Sequence, residues 1–454
     1  MFSLSVYIAV LSIIGFWKVK VIRGFNAYFL SEKRLGLLET SLTLASSWVD
    51  SAIILGFAGY CYAFGYDAIW IAIPTSIGVY TFSIFFAGKI NLMRNGFTVG
   101  EVIGRTYSRR ISVVSSIFVL FYSVALIATN LMASGYVMEA IFGVPFIYGA
   151  LIVLLLTVFY TLLGGFKKVV ETDILQFFLI MVGMLLVLAF VLRNIGGLTR
   201  LHDVALSYSP AFSRLDILSF FIVFTLPLWA NPSFYQVCSA ADSPKTARLG
   251  VAFVGLVDFL LTFVALAIGL AGAALFGTSL PQDMVFPKVM DAVLPSNLKG
   301  ILGIAIISAL MSTSDSYLLI GGGILAHDIL YPLGFHYFDE VKLAKLGVLL
   351  TAVLSLFSMF WFDNIIDTAI FAFSLFASSS LIPLLVSLNS RGREAKDELS
   401  VLISMAGGGT TVILWKVLNL GDTSISVLYG LMVSGTLWLL FSVMLKLLLA
   451  KRTF

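Results

Sequence analysis

Thirteen apolar segments run through the chain, at about 2–19, 37–63, 67–91, 112–141, 144–164, 170–192, 216–240, 248–276, 298–321, 343–361, 364–388, 399–417 and 424–447. Most approach the roughly 20 residues that an α-helix needs to cross the hydrocarbon core of a bilayer. In lipid every backbone N–H and C=O must be paired inside the chain, so runs of this length are helices. Only 11 % of the residues are charged and the mean hydropathy is +1.04, whereas soluble domains carry roughly 25 % charge. The pattern predicts an all-α polytopic membrane protein, one transmembrane domain over 1–454, with no appended soluble domain.

The first run, 2–19, lacks the basic start and small-residue cleavage site of a signal peptide, and Lys18 and Lys20 follow it. It reads as a first crossing helix with its N-terminus outside. Alternating crossings then place most of the 28 Lys and Arg residues in cytoplasmic loops and the C-terminus inside, as the positive-inside rule requires. A multi-pass protein of the cell's plasma (inner) membrane is expected. The net charge of +4 needs no nucleic-acid partner, because the basic residues line one membrane face. Cys61 and Cys238 fall in apolar runs and read as buried thiols. His202, His327 and His336, in or near loops, lack metal-ligand spacing. No cofactor is expected.

Three stretches break the apolar pattern. "TLASSWVDSAIILGFAG" places Thr43, Ser46, Ser47, Asp50 and Ser51 inside the second segment. Its serines alone suit a close helix–helix contact. A carboxylate at membrane depth, costing about 2.5–3.5 kcal/mol on insertion scales, points instead to an unwound helix whose freed carbonyls bind an ion. "FTLPLWANPSFYQ", 224–236, carries Pro227 and Pro232 with Asn231, Ser233 and Gln236; each proline removes a backbone donor and kinks or breaks the helix. Interruptions at corresponding places in two sets of five helices, 37–192 and 216–388, suggest an inverted-repeat transporter.

The third stretch is "ISALMSTSDSYLLIGGG", 307–323. Ser308, Ser312 and Asp315 share one helical stripe, with Ala309, Thr313 and Ser316 on the next. Hydroxyl and carbonyl oxygens are the hard ligands a small cation prefers; hydroxyls bonded back to their own helix are the alternative. Ser46 and Val49 lie about 9–12 residues above the cytoplasmic end of their helix, and Ser312 and Thr313 about 14–15 below the external end of theirs. At about 1.5 Å per residue both pairs reach slightly inside the midplane, where one ion would meet them.

These residues resemble those of the sodium/solute symporter family, whose members carry proline, sugars, sialate, pantothenate or choline on a LeuT-like five-plus-five core. The matching pieces are "SALMSTSDSYLL" (308–319), "YTLLGGFKKVVETDILQ" (160–176), "FYQVCSAADSPKTARLG" (234–250) and "FNAYFLSEKRLG" (25–36). The resemblance implies one helix before the core (2–19) and two after it (399–447). It implies a sodium site built from the carbonyls of Ser46, Val49 and Ala309 and the hydroxyls of Ser312 and Thr313. It also implies ion-coupling roles for Asp173 and Asp315; the plainer alternative pairs Asp173 with Lys167 or Lys168. The chain departs from many members at Gln236-Val237, where they carry Gln-Arg. "SSWVDS" looks most like choline-type members, with Asp50 replacing their glycine.

Asp50 thus reads as counter-charge to a cationic substrate, as ligand of a second sodium, as a proton carrier, or as a structural acid bonded to Asn231 or Ser233. The expected substrate site comprises Trp48, Asp50, Ser51, Trp229, Asn231, Ser233, Phe234 and Tyr235, its aromatics offering cation–π faces. Asp258 is expected to pair with a neighbour or to face the pathway. The expected function is sodium-driven symport of a small organic solute by alternating access, with a monomer as the working unit. An amine such as choline is the first expectation; a proline-like amino acid, a monocarboxylate or a sugar follow. A solute sensor would be expected to carry a signalling domain. An intramembrane enzyme would need a paired catalytic constellation, which the pattern lacks.

Overall fold

Helices account for most of the described residues. The computed structural model describes residues 5–7, 9, 24–30, 34–93, 98–208, 212–335, 337–389 and 398–450, with the side chains of 389 and 445–450 left aside. Ten helices among the described residues are long and apolar enough to cross a membrane. The segment 2–19 lies almost wholly outside the described residues. Ala52–Leu92 has 41 residues and Phe146–Ile195 has 50, each about twice the length that one crossing needs at about 1.5 Å per residue. Both are interrupted at a glycine of positive φ, Gly65 at +57° and Gly165 at +55°. Each therefore holds parts of two of the expected segments. A β-carbon on Gly165 would lie 2.6 Å from the Tyr28 carbonyl oxygen, so close approach as well as backbone angle demands glycine in the "LLGGF" stretch.

Both expected interruptions are present. Leu37–Trp48 is a 12-residue helix that stops at Val49 (φ −80°, ψ 86°). No proline or glycine causes this; the carbonyls it frees find partners on another helix. The chain restarts at Ser51, passes through a widened turn at Ala52–Gly56 and continues as Phe57–Phe64. The second break is proline-driven. Arg214–Thr225 runs into a tight turn at Pro227–Ala230, Asn231 is extended (φ −59°, ψ 117°), and Pro232 opens the helix Pro232–Ala240. Proline suits that first position, where no N–H is needed.

Ser296–Gly323 runs unbroken beside both interruptions. In its most apolar 18-residue stretch 94 % of the residues are buried, against 28 % for Thr423–Met444. The first is therefore the centre of the bundle, and the second is an outer helix with a lipid-facing side. Gly322 lets the central helix touch the backbone of Glu340–Ser358 near Ala344. Ser378 packs under Gly408 and Gly430 of the two trailing helices, so it serves close packing. Cys61 and Cys238 are buried free thiols. His327, expected in or near a loop, lies within the helical segment Ile324–Leu330 and meets Glu340 at 2.5 Å.

Candidate cation and substrate site

The first break and the central helix meet through oxygen atoms. The Thr313 hydroxyl donates to the Ser47 carbonyl at 3.0 Å and lies 3.5 Å from the Val49 carbonyl. The Ser46 and Ser312 hydroxyls are 2.7 Å apart, and those of Ser47 and Ser316 are 2.9 Å apart. Ser312 in turn donates to the Asp173 carboxylate. Four of the five residues expected to supply cation ligands are thus brought together, three of them through the expected atoms: the Val49 carbonyl and the Ser312 and Thr313 hydroxyls. Ala309 lies one turn earlier on the same helix and is fully buried. The carbonyl facing Thr313 is that of Ser47, one residue beyond the expected Ser46, and Ser46 contributes its hydroxyl instead. Back-bonding holds for Ser308 and Ser314, which donate to Ile304 and Leu310; Ser312 and Thr313 turn outward to other helices.

Two carboxylates flank this cluster. Asp173 is fully buried, and its Oδ2 has no hydrogen-bond partner. Lys168 pairs with Glu171 at 2.6 Å, and among the described residues no ion pair joins Asp173 to Lys167 or Lys168. Asp315 accepts from the Tyr160 hydroxyl at 2.5 Å, and its Oδ1 is also without a partner. A buried carboxylate oxygen left unpaired is costly, and a cation is the natural means of satisfying it. All the converging atoms are oxygens, a set that fits a hard monovalent or divalent cation. Among the described residues no group of three or more His, Cys, Asp or Glu stands ready for a transition metal.

A cavity adjoins the cluster, with Ser47 and Trp48 on its wall. Of the expected substrate residues, Trp48, Asp50 and Asn231 line it. Trp229, Ser51, Ser233, Phe234 and Tyr235 do not. Trp229 points its indole N–H to Thr81 at 2.8 Å. Phe234 stacks behind Trp48, ring centres 5.3 Å apart. Tyr235 is fully buried and donates to the Trp229 carbonyl. Ser51 and Ser233 serve through their backbone N–H groups. The proline-bent segment turns these side chains into the packing behind the wall.

Asp50 is neither bonded to Asn231 nor to Ser233. Its Oδ1 accepts the N–H of Ile53 at 3.0 Å, capping the restarted helix as aspartate commonly does. Residues that sequence reasoning missed complete the wall: Tyr122, Tyr317, Thr75 and Thr262. Asp258, expected to pair or to face the pathway, is paired. It accepts from Trp48 Nε1 and from Ser76, each at 2.9 Å, and lines the cavity.

A model of the sodium:solute symporter family matches residues 28–392. Sodium/proline symporters of Staphylococcus aureus strains are 26 % identical over 444 residues, covering 91 % of this chain and 85 % of theirs. Among solved structures the chain is similar to a Na+-coupled sialic acid symporter in a substrate-bound outward-open state. The TM-score there is 0.82 at 14 % identity, covering 96 % of this chain and 95 % of that one. It is also similar to Mhp1, a nucleobase-cation-symport-1 family transporter, with a TM-score of 0.62 at 12 % identity, covering 91 % and 93 %. At these identities the structures speak to the fold. The relatives lend the choline expectation no support and bring the proline-like alternative nearer.

Proposed function

The chain belongs to the sodium:solute symporter family, a family of sodium-coupled membrane transporters and not of enzymes, and from there we propose that it carries a small amine-bearing organic solute inward with sodium. Sodium would bind among Ser46, Val49, Ala309, Ser312 and Thr313, with Asp173 and Asp315 coupling ion to transport. The solute would occupy the cavity at Trp48, Asp50 and Asn231. The observation that carries this reading is the meeting of the Thr313 and Ser312 hydroxyls with the oxygens around the break at Val49.

An ion there ties the central helix to the broken one. Sodium would then stabilise the conformation in which the cavity wall at Trp48 and Asp50 is formed, so that ion and solute favour the same state. The two halves, 37–192 and 216–388, would rock around this fixed point, each carrying one broken helix. The working unit would be a monomer in the plasma membrane, N-terminus outside and C-terminus in the cytoplasm.

A proline-like zwitterion is a second reading, favoured by the Staphylococcus relatives. Uptake of labelled proline and of labelled choline into proteoliposomes, with an imposed sodium or potassium gradient, tests the proposal. Sodium-driven uptake of either supports it. Equal uptake in the two salts contradicts it.

A further inference from the structure

A half-helix that starts inside a membrane cavity presents unpaired N–H groups, and these form a ready seat for the anionic group of a substrate. In this chain both restarts are filled from within. At the first, Asp50 Oδ1 takes the N–H of Ile53 at 3.0 Å and Asn130 Oδ1 takes that of Ser51 at 3.0 Å. At the second, Asn231 Oδ1 takes the N–H groups of Ser233 and Phe234 at 3.0 and 3.2 Å. One of these caps is itself an anion.

The rest of the wall points the same way. Asp258 is a second carboxylate, held by Trp48 and Ser76, and the described lining residues include no Lys, Arg or His. A carboxylate entering this cavity would meet two negative groups, no base and no open helix end. A cation would meet Asp50 on a wall that also carries the aromatic side chains of Trp48, Tyr122 and Tyr317, the residue types that attract positive charge.

Resting on the symporter reading, we propose that the cargo is a small organic monocation without a carboxylate, its charged nitrogen set against Asp50. Asp50 then supplies from the protein the negative charge that an amino-acid cargo brings with it. This separates the chain from the proline named for its Staphylococcus relatives, at an identity of 26 % that leaves room for such a change.

The test is thermal stabilisation of the purified full chain, in sodium and in potassium, by matched pairs that differ in the carboxylate. These are pyrrolidine and proline, choline and glycine betaine, and phenethylamine and phenylalanine. In sodium, the amine of at least one pair is expected to bind about tenfold or more tighter than its carboxylate partner, and Asp50→Asn to abolish that preference. The comparison on the unaltered protein stands by itself if Asp50→Asn does not fold. Carboxylate partners that bind as well or better, or no amine that binds, would overturn the proposal. The symporter reading is judged separately, by the sodium-over-potassium difference without solute and by sodium-dependent binding of any solute in the panel.

Discussion

The hydroxyls of Ser46 and Ser312 lie 2.7 Å apart although 266 positions separate them in the chain. Ser46 belongs to the last turn of a helix that stops three residues later, and Ser312 to the middle of the most buried helix. Ser312 passes its own proton toward Asp173. Three segments from distant parts of the chain are thereby joined through oxygen atoms at one depth. Such a junction is the kind of place where a small cation can alter how two moving parts are held.

Thr313 reaches the carbonyls of Ser47 and Val49 with its hydroxyl alone. Thr313→Val keeps the shape and removes the oxygen. Losing one polar ligand of about 1–3 kcal/mol raises the sodium concentration for half-maximal stabilisation by about tenfold or more. A sodium titration of the melting temperature reads this directly. An unchanged midpoint would remove Thr313 from the site.

Asp173→Asn keeps a side chain able to accept from Ser312 but loses the charge. Sodium-driven uptake is expected to fall about tenfold or more, with solute binding at saturating sodium much less affected. Uptake assays at graded sodium, paired with solute binding at high sodium, separate the two effects. Equal loss of both would make Asp173 a structural residue.

How much of this was legible in the sequence differs by feature. The breaks announced themselves, because Asp50 and the two prolines conflict with a continuous apolar helix. The stripe at Ser312 and Thr313 followed from helical periodicity. Lining residues did not follow so easily. Trp229, Phe234 and Tyr235 share a segment with Asn231, yet a tight turn and a proline start rotate them behind the wall, and periodicity cannot foresee that rotation. Asp258 and Tyr122 reach the cavity from helices that read as ordinary crossings, where the isolated acid inside 248–276 was the one available signal; Tyr317 reaches it from the hydroxyl-rich helix, whose polar stripes drew the reading to Ser312 and Thr313 instead. The capping role of Asp50 needed the backbone of the break itself.

Gly165 (φ +55°) has no room for a β-carbon beside Tyr28. Gly165→Ala combines a backbone conformation costing about 1–3 kcal/mol with a steric conflict. The melting temperature is expected to drop by several degrees or the protein to fail to accumulate. Purified yield and thermal denaturation in detergent check this. Wild-type stability would show that the helix simply straightens there.

Asp283 lies in the connection between two crossing helices and accepts the N–H of Ile365 at 3.0 Å. Burial, with a smaller push from Asp367, raises its carboxyl to about 7 from an ordinary 3.8. The folded protein holds this proton where the unfolded chain has released it, so this group's contribution to stability falls as pH rises from about 4 to 7. Asp283→Asn keeps an acceptor without charge. It is expected to be more stable than wild type above about pH 7, by on the order of 4 kcal/mol for a rise of about 3 pKa units at about 1.4 kcal/mol each, and to converge with it toward pH 4. Melting curves across that range decide; a difference independent of pH would contradict it.

The most direct measurement is equilibrium binding of radiolabelled sodium to the purified protein, wild type against the double variant Ser312→Ala, Thr313→Val. Saturable binding in the wild type that disappears in a folded double variant is the predicted result. Equal binding in both would contradict the placement of the coupling ion between the broken helix and the central one.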